Sequence, residues 1–181
     1  MIKLTKYLGF GGLLLGVLWA VVYRRAGNAL FLALAVTCAT TGYHFAVRLG
    51  VGAVFDRFMG NRADCSKGWY QVRPWENRLY ERIKIKKWKD KMPTFHPDTF
   101  SPKNHTWDQI AQAMCQSELV HETNMLLSFL PLFAARWVGA FPVFLITSLL
   151  AAGFDLLLVM MQRYNRPRIL RLAARQKGPD A

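Results

Sequence analysis

The chain has 181 residues, 52% of them hydrophobic, and its 24 Lys and Arg against 11 Asp and Glu leave a formal charge of +13. The apolar residues gather into a few long runs, which excludes a disordered chain and an ordinary small soluble domain. Cys38, Cys65 and Cys115 show no paired spacing and no C-x-x-C, so they exclude a disulfide framework or a cysteine zinc site and read as packing residues.

The first apolar runs cover residues 7–23 and 28–47. A transmembrane helix needs about 20 mostly apolar residues, so both read as spans. Arg24-Arg25-Ala26-Gly27-Asn28 between them carries the Gly and Asn of a reversal, and a hairpin is expected. Lys3 and Lys6 resemble the start of a secretory signal. The run that follows is long, ends in Tyr23-Arg24-Arg25 and lacks a small-residue cleavage site, so a retained helix is expected. Gly12 and Gly16 form a G-x-x-x-G, a spacing that lets helices approach closely.

The next segment is basic and rich in tryptophan. Trp69, Trp75, Trp88 and Trp107 are interleaved with arginines and lysines, a composition suited to the membrane interface and to anionic head groups. Such a mixture also suits nucleic acid, but the adjacent lipid supplies phosphates of its own, and no nucleic-acid partner is expected. Residues 76–91 read as one interfacial helix with Leu79, Tyr80, Ile83 and Trp88 inward, or with a short strand at 83–86. Pro93, Pro97 and Pro102 then break the chain into a loop. A helix restarts at Thr106, where Thr106-x-x-Gln109 has the form of a capping box.

Runs at 119–135 and 137–161 complete four expected spans in two hairpins. With both termini and the middle segment on one side of the bilayer, that side holds 21 basic residues and the other three, Arg24, Arg25 and Arg136. The positive-inside rule makes the richer side cytoplasmic. The expected organisation is therefore all-α: an N-terminal membrane hairpin (1–55), a basic cytoplasmic interfacial segment (56–115), a C-terminal membrane hairpin (116–168) and a basic tail (169–181).

Two groups of residues could carry chemistry. Glu118 and His121 lie three apart on one helical face where the chain enters the membrane, with Glu122 beside them. Glu118 could orient His121 as a general base. The same pair could ligate a metal together with Glu122 and His44, His96 or His105, or form a structural hydrogen bond. Near the end of the last run, Gln162-Arg163-Tyr164-Asn165-Arg166-Pro167-Arg168 clusters arginines around an Asn and a helix-breaking Pro. Arginine forks suit phosphate or pyrophosphate. Asp155 in the same run needs a polar partner, for which Arg136 and His44 are the candidates.

The stretches Trp69-Tyr70-Gln71-Val72-Arg73-Pro74-Trp75-Glu76, Trp88-Lys89-Asp90, Glu118-Leu119-Val120-His121 and Gln162–Arg168 together resemble the glycosyl-4,4'-diaponeurosporenoate acyltransferases. These are small bacterial membrane proteins that esterify a fatty acyl group onto the glucose of a glycosylated carotenoid acid. The resemblance runs from about residue 69 to 172, and the first two spans share only their apolar character. It implies acyl transfer in a bacterial cell membrane, from a thioester donor to a hydroxyl of an amphipathic lipid or glycolipid, with no cofactor. On that reading His121 is the base and Glu118 its partner, and Asp90 is a second base or a sugar ligand. Tyr164, Asn165, Arg166 and Arg168 meet the donor, while Arg73 and Trp75 contact substrate. No Ser or Cys lies beside a His in the sequence, which favours direct transfer over an acyl-enzyme.

Overall fold

A computed structural model describes residues 2–94 and 96–176, so the end of the expected basic tail lies outside the described residues. The helices are α1 (Ile2–Ala26), α2 (Ala29–Met59), α3 (Pro74–Arg82), α4 (Ile85–Trp88), α5 (Trp107–Leu127), α6 (Ala135–Val138) and α7 (Phe141–Gln176). Short 3-10 turns join several of them, and there is no strand among the described residues. The chain divides into two compact units. One holds the described residues up to Val54 with Glu122–Asp155, and the other holds Phe55–His121 with those from Leu156 onward. Helices α2, α5 and α7 contribute residues to both.

The first unit contains the α1–α2 hairpin. Gly27, at φ +65, caps α1 by donating its N–H to the Tyr23 carbonyl, and Asn28 Oδ1 accepts the Leu30 N–H at 2.9 Å to start α2. The glycines of α1 make a true packing seam. A Cβ on Gly12 would come within 2.8 Å of Gly42 Cα, and one on Gly16 within 2.8 Å of Ala39 Cβ. From the other side, a Cβ on Gly42 would lie 2.5 Å from the Leu13 nitrogen. The outer face of α1 is exposed: Phe10, Leu14 and Val17 are 65%, 72% and 65% exposed. A row of large apolar side chains facing outward suits hydrocarbon.

Helices α1, α2 and α7 are long and apolar enough to cross a membrane. At about 1.5 Å per residue, the 31 residues of α2 and 36 of α7 exceed a bilayer core. Helix α2 runs past the expected end at Val47 to Met59, and α7 past the expected break at Pro167 to Gln176. A proline inside a helix removes one amide donor, and α7 continues across it. The expected span at 119–135 is not one helix. It is the last part of α5, then a 3-10 turn at Leu130–Ala134 containing Pro131, then the start of α6.

Arg48 falls within α2 instead of beyond it, and it pairs with Asp155, a partner that sequence spacing did not suggest. Its guanidinium pairs with the buried Asp155 carboxylate and also donates to the Ala151 carbonyl at 3.0 Å and the His44 carbonyl at 2.7 Å. A charge in an apolar helix is costly unless it is paired, and this pairing neutralises both.

In the second unit, the end of α2 is fixed by the buried Gln116 of α5. Its Nε2 donates to Asp56 at 2.7 Å and its Oε1 accepts the Asn61 N–H at 2.7 Å. The 76–91 segment is not a single helix or strand. Lys84 sits at φ 52, which separates α3 from α4. Glu76, Tyr80 and Ile85 are the residues buried there, whereas Leu79, Ile83 and Trp88 are half-buried. The capping box at Thr106 is present in both directions: Thr106 N–H to Gln109 Oε1 at 2.9 Å, and Gln109 N–H to Thr106 Oγ1 at 3.3 Å.

The Gly42 contact gives a clear test. Gly42→Leu forces backbone against side chain, and overpacking of this kind costs about 1–3 kcal/mol or more. Gly11→Leu meets open space and should be tolerated. Thermal unfolding of the detergent-solubilised protein should fall markedly for the first variant and hardly for the second.

Candidate active site

Three of the four motif stretches, 69–76, 118–121 and 162–168, meet in one network of four charges within the second unit. Its centre is Arg163 on α7. Nε donates to Glu76 Oε2 at 2.7 Å and Nη2 to Glu76 Oε1 at 2.7 Å, a bidentate pair. Nη2 also reaches the Gln71 carbonyl at 2.9 Å; Nη1 donates to Glu118 Oε1 and to the Trp69 carbonyl at 2.9 Å. A guanidinium has five N–H donors in a planar fork, and all five are used. Three residues further along the same face of α7, Arg166 is 1% exposed. Its two terminal nitrogens donate to Glu118 Oε2 and the Tyr70 carbonyl, and its guanidinium lies over the Tyr70 ring.

Glu76 is placed by its helix start. Pro74 occupies the first turn of α3, where a missing N–H is harmless, and Glu76 Oε1 accepts the Arg73 N–H at 3.1 Å, closing that end. Tyr80, one turn on, donates its hydroxyl to Glu76 Oε2 at 2.7 Å. Burial alone would raise the Glu76 pKa, but Arg163, Tyr80 and the Arg73 N–H outweigh it and bring it down to about 2. Burial, and then the bond to Glu76, push Tyr80 above the usual phenol range. Tyr70 is pushed up to about 12, by burial first and then by Cys115 and Glu118. Both phenols therefore stay protonated near neutral pH. The Tyr164 ring stands edge-on to Tyr80 at 5.9 Å between centroids.

Glu118 is fully buried, with each carboxylate oxygen accepting from an arginine. A carboxylate oxygen has a second lone pair, so these pairs do not exhaust its acceptor capacity. His121 is half-buried, one turn further along α5. Tyr164 and Asn165 are half-buried; Arg168 is exposed, with its guanidinium 5.5 Å from the centroid of the Tyr164 ring. Arg73 and Trp75 are exposed at the start of α3. Asp90 is exposed on the 3-10 turn Lys89–Lys91 and pairs with Lys89 at 2.8 Å. As for a metal, no group of three His, Cys, Asp or Glu that could hold one occurs among the described residues.

Sequence reasoning took Tyr80 only as an inward-facing residue, Arg163 only as one of the clustered arginines and Glu76 only as part of the family-like stretch, and it did not foresee their pairing. The i, i+4 spacing of Glu76 and Tyr80 after Arg73-Pro74 and the i, i+3 spacing of Arg163 and Arg166 were the available signals. Beside the network lies a pocket of about 680 Å³ lined by Arg62, Asp64, Cys65, Asp108, Gln112 and Leu170 among others.

A family model described as glycosyl-4,4'-diaponeurosporenoate acyltransferase matches residues 66–175, well over half of the chain. The protein belongs to this family. The match spans every member of the network, from Trp69 to Arg166. No curated protein and no solved structure matches the chain. The acyltransferase family supports a transferase role, and the apolar helices fit a membrane setting.

The low pKa of Glu76 sets a pH dependence. A carboxyl depressed from an ordinary value near 4.5 to about 2 adds stability that is fully present above 4.5. That stability is lost as pH falls through the interval toward 2. Unfolding followed across this range should show the loss in the wild type. Glu76→Gln, already destabilised, should show a shallower decline.

Proposed function

We propose that the protein is a membrane O-acyltransferase that moves a fatty acyl group from a thioester donor to a hydroxyl of a glycolipid or glycosylated carotenoid. The observation that carries this reading is the acyltransferase family match over the segment containing the buried network. In the proposed reaction His121 removes the hydroxyl proton as the oxygen attacks the thioester carbonyl. The tetrahedral intermediate then expels the donor thiolate, which takes that proton. Glu118, anchored by Arg163 and Arg166, fixes the depth and facing of this part of α5 and supports the imidazole.

Of the two arginines expected to meet the donor, Arg166 is committed to Glu118 and Tyr70 and acts from beneath. Arg168, exposed over Tyr164, takes the donor's negative charge, with Asn165 within its turn of α7 as a hydrogen-bond donor to the developing oxyanion. Arg73 and Trp75 offer a cation and a ring to the acceptor head group. The bacterial cell membrane is the proposed location.

We further propose four crossings with the basic segment cytoplasmic. Arg163 and Arg166 hydrogen-bond the backbone at Trp69–Gln71, so that end of α7 and the basic segment share one side. If α7 crosses, Phe141 emerges on the opposite side, and the chain from His121 to Ala140 must cross as well. It does so through the end of α5, the 3-10 turn and α6. Non-helical backbone at that depth needs protein around it.

Two experiments test these readings. His121→Gln keeps polarity but removes the titrating nitrogen, and loss of a general base costs about 10²–10⁴-fold in rate. The variant should insert and bind donor but lose turnover of an acyl thioester with a glycolipid acceptor, and chelators should leave the wild type active. Full activity in His121→Gln would remove the proposed base, and chelator-sensitive activity restored by added metal would favour the metal reading. For topology, Lys67→Cys and Trp137→Cys are each placed in a background with the three natural cysteines changed to Ser. An impermeant thiol reagent on intact cells should label only Trp137→Cys; labelling of Lys67→Cys instead would reverse the orientation.

A further inference from the structure

Two of the three cysteines, 50 residues apart in sequence, are neighbours in the second unit: Cys115 Sγ lies 3.1 Å from Cys65 Sγ and donates to it. Both are free thiols. Their surroundings differ in a way that suits a division of labour. Cys65 is half-buried and lines the pocket of about 680 Å³, so a small solute can reach it, whereas Cys115 is fully enclosed in α5. A bonded disulfide has its sulfurs about 2.05 Å apart, so closure needs a movement of about 1 Å. The Cys65 side of that movement belongs to the loop after α2, not to a helix.

We propose that Cys65 and Cys115 form an oxidisable dithiol that a peroxide entering from the pocket converts to a disulfide. Cys65 is the attacking thiol. Its thiolate is favoured first by the hydrogen bond from Cys115 and then by the positive charge of Arg166, against the cost of burial, and its pKa is lowered; that of Cys115 is raised. The Cys65 thiolate attacks one peroxide oxygen, forming a sulfenic acid and releasing water or an alcohol. Cys115 sulfur then attacks the sulfenic sulfur and a second water leaves. The two thiols lose two electrons and the peroxide gains them. Chemistry of this kind in reducing compartments is transient and redox-sensing in character.

The position gives the bond a structural consequence. Cys115 stands one turn before Glu118 on α5, and 115 and 118 share a helical face. A disulfide ties the 62–66 loop to the helix that carries the buried carboxylate and draws one wall of the pocket inward. Sequence spacing alone could not bring this pair together, because nothing local links residues 65 and 115.

The test treats the purified, detergent-solubilised full chain with hydrogen peroxide, alkylates it without reductant, and maps the peptides by mass spectrometry. The expected result is a Cys65–Cys115 cross-linked peptide that dithiothreitol reverses, with Cys38 left as a thiol, and a higher thermal midpoint for the oxidised form. Cys65→Ser should abolish the cross-link and leave Cys115 a thiol. The inference is overturned if Cys65 accumulates as sulfinic acid while Cys115 stays reduced, if Cys65 joins Cys38 or a second molecule, or if neither thiol reacts.

Discussion

The fork of Arg163 is the interaction on which the second unit depends. One planar cation grips Glu76 with two parallel bonds, reaches Glu118 with a third and closes two backbone carbonyls. Three chain segments are thereby joined through a single side chain: the turn at Trp69–Gln71 with the start of α3, the middle of α5, and α7. Arg166 repeats the link to Glu118 and to Tyr70 from the next position on the same face. A lysine offers three donors on a point charge and could not satisfy this set. Two arginines and two glutamates cancel in charge, so burial leaves no unpaired ion. Removing any one of them would leave a charge behind, and a broken buried pair is far more damaging than one replaced whole.

This gives a physical reading of the stretches by which the chain resembles its family. The Trp-Tyr-Gln-x-Arg-Pro-Trp-Glu stretch supplies carbonyl acceptors and a glutamate held at a helix start by proline. The Glu-x-x-His helix supplies the second glutamate, and the Gln-Arg-Tyr-Asn-Arg-Pro-Arg stretch supplies both cations. Glu118 and Arg166, singled out in the sequence for chemistry, are thus also joined to each other in this network. Among the expected site residues, His121, Tyr164, Asn165, Arg168, Arg73, Trp75 and Asp90 stay exposed or half-buried, and it is from these that the proposed substrate contacts are drawn. In the first unit the pairing of Arg48 with Asp155 follows the same rule: a charge placed among apolar helices is neutralised by a partner on another helix.

The all-helical, membrane-suited character was legible because it rests on run length and composition, which need no tertiary information. The reversal at Gly27-Asn28 and the capping box at Thr106 were legible for the same reason, since both are satisfied within a few residues. The α1 glycines were visible as a spacing, but only the approach of Ala39 and Gly42 on α2 gives Gly16 and Gly12 their partners. The break at Lys84 and the continuation of α7 through Pro167 were not visible, because local propensity does not decide between a helix and its interruption when packing can override it. The split of 119–135 carried a signal in Pro131 that the apolar composition concealed. The burial of Arg166 was hidden for a different reason: an arginine near the end of an apolar helix has the same sequence signature whether it faces phosphate, water or a carboxylate. The Cys65–Cys115 proximity and the Glu76–Arg163 pair are long-range facts with no local trace.

The central claim is that Glu118 and Arg166 act as one buried unit, and a double-mutant cycle measures it most directly. Glu118→Gln, Arg166→Gln and the double variant would be compared with the wild type by reversible unfolding in detergent. Each single change strands a buried charge and should cost about 3–5 kcal/mol. The double variant removes both charges, so its loss should fall short of the sum of the singles by more than about 1.5 kcal/mol, within the range seen for residues in one network. Losses that simply add would contradict the account, because they would mean that the two side chains do not depend on each other.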